Sequence, residues 1–264
     1  MKRLLSLLLH DVYRSHSSES GFLGPAADRY KLSLAEFDAQ LAGLARVRKD
    51  RPILMTNEAA PDSEEVPFAI TVDDGGFSYY TIVAERLEAL GWRGHCFVTS
   101  GAIGRPGFLE ARQIRELHAR GHAIGSHSVS HPRRFSGCRW EEMVREWRES
   151  RGALADIVGA DVTVASVPGG SFSPRVARAA REAGLRFLFT SEPETRVARV
   201  DGCTVLGRFI IRAGYRPDFA RRLGRLESAP RLREWMLWNA KKRLKPLIAL
   251  VVSSRHDVTA LAGR

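Results

Sequence analysis

Residues 67–78 read PFAITVDDGGFS, an apolar run that stops at two adjacent carboxylates, Asp73 and Asp74, and two glycines, Gly75 and Gly76. The segment 67–72 has the length and β-branched content of a strand buried on both faces. One carboxylate of such a pair can face a metal while its neighbour faces a reacting water. Gly75 and Gly76 allow a sharp turn close to a bound molecule without Cβ clashes. The string DDGG alone reads as well as an ordinary turn. Its place at the end of an apolar strand gives it functional meaning.

Outward from this stretch the chain repeats one pattern. Further strands are expected at 4–9, ending in His10-Asp11, and at 51–55, 95–99, 122–126, 163–167, 186–190 and 204–211. Between them, apolar residues recur at helical spacing: Leu34, Phe37, Leu41 and Leu44; Tyr79, Val83, Leu87 and Leu90; Met143, Val144, Trp147 and Leu154 on a longer helix from Trp140 to Val158. Two more helices are expected near 109–120 and 175–183. Alternating strands and helices, with polar residues collected just after the strands, predict an α/β fold whose site lies at the carboxyl ends of a parallel sheet. A barrel gathers such residues around one mouth. An open doubly wound sheet is the architectural alternative.

The 264 residues suffice for one large domain, and 44% apolar residues with twelve Phe and five Trp belong to a globular protein. The net charge of +11, from 41 basic against 30 acidic residues, attracts anions of any kind. No metal-finger spacing and no aromatic-basic RNA-reading motif is present, so no specific nucleic-acid partner is expected. Three widely spaced cysteines without a CxxC pair fit a reducing, cytoplasmic setting. The opening run LLSLLL is short and lacks a small-residue cleavage site, and it reads as a strand rather than a signal peptide. A catalytic domain is expected over 1–220, followed by a basic helical extension over 221–264. In the extension, Leu232, Trp235, Met236 and Leu244 fall near one helical face. The segment 221–245 reads as an outer helix covering the domain or as an interfacial helix on an anionic membrane. PLIALVV at 246–252 is too short to cross a bilayer.

Beyond the strand at 122–126 stand His127 and His131, in the order HSVSH. Their i,i+4 spacing would put both imidazoles on one side of a helical turn. Two such histidines also arise on ordinary surfaces. Taken with a strand-end aspartate they make a donor set that leaves coordination positions for water and substrate, as catalytic metal sites do.

Together these two motifs resemble the polysaccharide deacetylase family, also called the NodB-homology or carbohydrate esterase family 4 group. The family signature TFDDG appears as Thr71-Val72-Asp73-Asp74-Gly75 and the histidine motif HSxxH as His127 to His131, about fifty residues later. The resemblance covers roughly residues 5–212. It implies a distorted (β/α)7 barrel and removal of N- or O-acetyl groups from a saccharide or a lipid-linked glycan precursor. It further implies Asp73 as general base and Asp74, His127 and His131 as ligands of Zn2+ or a similar divalent ion. Pro168-Gly169-Gly170 resembles the family's third motif, whose backbone helps bind the oxyanion, and Gly76 is grouped with this substrate-facing set. Two departures stand out. Ser166 occupies the place where the family carries an arginine before the proline, and the stretch VLGRFIIRAG lacks the family's LxH histidine. His10, at the end of the first strand, is the candidate to replace that acid, and Arg208 and Arg212 are candidates for binding an anionic part of the substrate. The competing expectation, built on the two departures, is a non-catalytic carbohydrate-binding protein that keeps the fold.

Overall fold

The computed structural model describes residues 1–56, 65–240 and 242. The expectations placed on 246–252 and on Leu244 lie outside the described residues. Strands run over β1 (Leu5–Leu9), β2 (Val12–Tyr13), β3 (Leu32–Ser33), β4 (Phe68–Val72), β5 (His95–Val98), β6 (Ala123–Ser126), β7 (Val164–Ser166), β8 (Phe187–Phe189), β9 (Val197–Val200), β10 (Cys203–Leu206) and β11 (Phe209–Ile210). Helices run over α1 (Pro25–Asp28), α2 (Leu34–Val47), α3 (Ala84–Ala89), α4 (Ala111–Ala119), α5 (Trp140–Val158), α6 (Pro174–Glu182) and α7 (Phe219–Gly224).

The main sheet has the order β11-β1-β4-β5-β6-β7-β8-β10-β9. Every neighbouring pair in it is parallel except β10 with β9. All five residues of β1 and all five of β4 are buried, so their near-continuous apolar sequence reflects burial on both faces. The sheet curls into a distorted barrel whose two ends meet where β10 passes into β11. The sequence reads 204–211 as one strand; the structure interrupts it at Gly207-Arg208. The first half pairs with β8, and the second pairs with β1 through Leu7 opposite Phe209 and Leu8 opposite Ile210. Counted as one interrupted strand, β10 and β11 bring the parallel strands among the described residues to seven. The chain bends here because Gly207 has no side chain: a Cβ would lie 2.5 Å from the carbonyl oxygen of Glu192 and 2.7 Å from that of Glu194.

The expected strand at 51–55 forms no ladder. The Ile53 amide donates to the carbonyl of Phe68, and the Met55 amide to Nε2 of buried His95. Pro52 has no amide to offer. The segment is therefore extended but tied to two different partners. The first loop, by contrast, holds more order than its polar sequence suggests. β2 and β3 pair in parallel, and Ser33 and Glu36 form a reciprocal capping box at the start of α2. At the other end of the chain, α7 packs on α2 so closely that a Cβ on Gly224 would meet Leu44 at 2.8 Å, and residues 228–240 form a further helix.

Replacing Gly207 with Ala forces its carbonyl neighbours apart. We expect a loss of about 2 kcal/mol, in the range typical of overpacking, read as a lowered denaturation midpoint with an unchanged slope.

Candidate metal and catalytic site

A cavity of about 550 Å³ opens beyond the carboxyl ends of β1, β4, β6 and β11, and His10, Asp73, Asp74, His127 and His131 all line it. The carboxylate pair follows β4 directly. The Asp73 amide donates to the carbonyl of Leu9 at 3.1 Å and fixes the turn to the neighbouring strand. Asp74 then takes a left-handed conformation, φ 76°, which a non-glycine residue rarely adopts. That reversal sends the two neighbouring carboxylates to different partners.

The histidine motif is not helical. Ser128 and His131 both have positive φ, 65° and 52°, and the segment forms a tight loop. The helical turn expected from the spacing is replaced because other groups hold the loop. Glu146 of α5 accepts from the amides of Val129 and Ser130, both at 2.9 Å, and from the Ser130 hydroxyl at 2.7 Å. The Ser128 hydroxyl accepts from the His131 amide. The loop still brings the imidazoles together, with ring centroids 5.0 Å apart.

One oxygen of Asp74 lies 3.4 Å from Nε2 of His127 and 3.6 Å from Nε2 of His131, and the three donor atoms fall within 4.8 Å of one another. Two metal bonds of about 2.1 Å at a tetrahedral angle separate their donor atoms by about 3.4 Å, so the residues present fit a single divalent ion. His127 Nδ1 lies 2.9 Å from the backbone carbonyl of Ser166. A proton held there leaves the Nε2 lone pair directed at the triad. Burial works against the ionised Asp74 carboxyl, yet the imidazoles of His127, His10 and His131 outweigh it and hold it well below the usual carboxylate range. Burial also opposes charge on His127, but the carboxylates of Asp73 and Asp74 raise it above its ordinary value. Burial and the neighbouring His127 lower His131.

Asp73 has a different set of neighbours. Arg208, fully buried at the interruption between β10 and β11, grips it with Nη1 at 2.7 Å from one oxygen and Nη2 at 2.8 Å from the other. The remaining guanidinium donors go to Thr71 Oγ1, Ser166 Oγ and the carbonyl of Thr190, so all five are used. Ser166 itself donates to Asp73 at 2.9 Å. Burial penalises the Asp73 charge, and Arg208 and His127 more than offset that penalty, leaving the carboxyl below the ordinary range. Ser166 stands where the family motif has an arginine, and Arg208 is expected from the sequence to bind an anionic part of the substrate. The structure corrects the second point: Arg208 is fully buried and spent on Asp73, and it also bonds to Ser166. The available signal was an arginine set inside an otherwise apolar stretch, GRFII.

The other expected residues are spread around this centre. His10 lines the cavity, stacks near Tyr30 with centroids 5.1 Å apart, and has a buried Nδ1 without a hydrogen-bond partner. Gly169 and Gly170 also line it, both with positive φ, while Pro168 is buried. Gly76 faces elsewhere: a Cβ there would overlap the carboxyl of Asp11, which accepts from Ser20 and Ser78. Arg212 borders the cavity beyond β11, and Trp238 reaches it from the helix over 228–240. His95 and His122 are buried in hydrogen-bonded positions away from the cavity.

Residues 60–188 match the family model described as polysaccharide deacetylase. A curated Bacillus subtilis (strain 168) protein named "Putative polysaccharide deacetylase YxkH" is 25% identical over 166 residues, covering 63% of this chain and 58% of its own length. Among solved structures, the fold resembles BC0361, a polysaccharide deacetylase from Bacillus cereus. The TM-score is 0.69 at 20% identity, over 84% of this chain and 69% of that one. It likewise resembles IcaB from Ammonifex degensii, with TM-score 0.67 at 21% identity over 85% and 98% of the two chains.

Removing Arg208 strands a buried carboxylate. Arg208→Met should cost roughly 3–5 kcal/mol in chemical denaturation, and an added Asp73→Leu should recover much of that loss; equal destabilisation in single and double variants would refute the coupling.

Proposed function

We propose that this chain, whose residues 60–188 match the polysaccharide deacetylase family model, hydrolyses acetyl groups from an N-acetylated, or O-acetylated, saccharide or lipid-linked glycan precursor, using a divalent ion, Zn2+, at Asp74, His127 and His131. The single observation that carries this reading is the convergence of that triad on one cavity with a separately held carboxylate, Asp73.

The ion supplies a Lewis acid that polarises a carbonyl and lowers the pKa of water. The residues of the chain do the rest. Asp73 keeps one acceptor site beyond the three bonds made by Arg208 and Ser166, and through it takes the proton of the attacking water. Arg208 lowers the proton affinity of Asp73, so this base serves only a water that has itself become acidic. That arrangement keeps Asp73 ionised at neutral pH and ties its action to the loaded site. Gly169 lines the same cavity, and its backbone amide is assigned to the oxyanion. His10, with an unpartnered nitrogen at the cavity wall, is assigned to return a proton to the leaving amine or hydroxyl. Water adds to the acetyl carbon, the bond to nitrogen or oxygen breaks, and acetate leaves with the free sugar.

The reading as a non-catalytic sugar-binding protein drew on the absent motif arginine and the absent LxH histidine. Arg208 provides Asp73 with the partner that the first departure left missing.

We also assign the helix over 228–240 to contact with an anionic membrane surface at the cytoplasmic side. Leu232, Trp235 and Met236 are each half exposed, 54%, 51% and 51%, at i, i+3 and i+4 on one face, and Arg231 and Arg233 flank them. Three free cysteines support that compartment. No helix among the described residues is long and apolar enough to cross a membrane.

Metal analysis and acetate release from a panel of acetylated glycans test the activity. Asp74→Ala and His127→Ala should lose the metal, and Asp73→Asn should keep it while turnover falls by about a hundredfold or more. Unchanged metal affinity in both ligand variants would sink the assignment. For the membrane contact, sedimentation with anionic vesicles should exceed that with neutral vesicles and drop in Trp235→Ser/Met236→Ser; equal retention on both vesicle types removes it.

A further inference from the structure

The cavity that holds the triad carries more positive charge than its own carboxylates use. Asp73 is paired with Arg208, Asp74 belongs to the triad, and Asp11 accepts from the hydroxyls of Ser20 and Ser78. Of the cations on the wall, Lys31 is committed to the backbone carbonyls of Ser17 and Ser20 at 2.6 and 2.7 Å. Two arginines remain. Arg133, two residues past His131, is exposed and has no ion pair or side-chain hydrogen bond among the described residues. Arg212 is mostly buried, its guanidinium carbon 5.7 Å from the centroid of the Tyr30 ring and 5.9 Å from that of the Tyr215 ring.

Arg212 is only loosely compensated. Its nearest carboxylate, Glu234, stands 3.9 Å away and is already engaged by the Tyr215 hydroxyl at 3.0 Å and by Arg233 at 2.9 Å. Its Nε is buried without a partner, and so are the indole nitrogen of Trp238 and Nδ1 of His10, which border the same cavity. Buried donors left without acceptors are rare in folded proteins, and here two such donors and an unpartnered imidazole nitrogen belong to residues that line one cavity. An arginine Nε and an indole N–H can only donate. An occupant rich in oxygen acceptors and negative charge would satisfy them, and a guanidinium is the side chain best shaped to take phosphate or carboxylate.

We infer that the cavity takes an acetylated saccharide bearing an anionic group on or next to the acetylated ring, the anion lying at Arg212 and Arg133 and the ring against Trp238. This rests on the deacetylase reading for the meaning of the acetyl group, but the recognition of charge stands on the arginines. Trp238 is part of the wall because its ring lies 2.9 Å from where a Cβ on Gly170 would stand, so the glycine and the indole fit only together. The helix over 228–240 therefore completes the substrate site as well as covering the barrel.

The experiment compares three acetylated sugars on the metal-loaded full chain by calorimetry: N-acetylglucosamine, its 1-phosphate, and N-acetylmuramic acid. At least one charged sugar should bind about tenfold tighter than the neutral one, and which of the two does so separates a phosphate source from a carboxylate source. Arg212→Gln should abolish the preference, and Arg133→Gln, an exposed change that spares the fold, should reduce it. Equal affinity for all three sugars overturns the inference. So does a preference that survives both substitutions, since it would then belong to the metal alone. Acetate release measured on the same samples decides the deacetylase reading separately: no release from any sugar removes that reading, while the binding comparison still decides the anion site.

Discussion

The site depends on a buried ion pair between Asp73 and Arg208. Taking two charges out of water costs several kcal/mol for each, and the attraction between them offsets that only when geometry is good and every remaining donor is satisfied. Both conditions hold. The guanidinium approaches the carboxylate with both terminal nitrogens, and its other donors meet Thr71, Ser166 and Thr190. Thr71 passes the network on to the Leu7 carbonyl at 2.7 Å. Strands β1, β4, β7, β8 and the join between β10 and β11 are thus linked through one side chain, and the acid that would act as base is held by the same atoms that bind these strands together.

The triad is built on a contrasting principle. Asp74, Ser128 and His131 all sit at positive φ, where non-glycine residues are uncommon. Such conformations persist when their surroundings over-determine them, and here the constraints can be named: the Asp74 carbonyl accepts from the Thr99 amide, and Glu146 gathers the amides of the histidine loop. Rigid polar contacts outside the cavity therefore set the positions of the ligand atoms inside it.

Much of this was legible in the sequence. The long α5 appears at the residues its apolar periodicity marks, and the strand before Asp73 does too, because burial on both faces leaves a clear apolar run. The triad was legible because its residue types and order are few. What escaped reading is instructive. Arg208 reads from the sequence as a binder of a substrate anion because nothing local shows that it turns inward beside Gly207; its partner lies 135 residues away. Glu146 is one acid among several on α5, and only its pairing with the 129–130 amides distinguishes it. The short β2 and β3 lack periodicity altogether, and the 51–55 segment has strand composition but sends its amides to mismatched partners. Each failure concerns a contact between distant segments, where local pattern carries no information.

The interruption at Gly207-Arg208 joins the ends of the sheet and supplies the clamp on Asp73 within two consecutive residues. The closure of the sheet and the support of Asp73 thus share a seam. A disturbance that parts β11 from β1 would also loosen the guanidinium that holds Asp73. For the same reason, lengthening the link by even one residue would alter the ring's circumference and the reach of the arginine together, which leaves evolution little freedom to adjust one without the other.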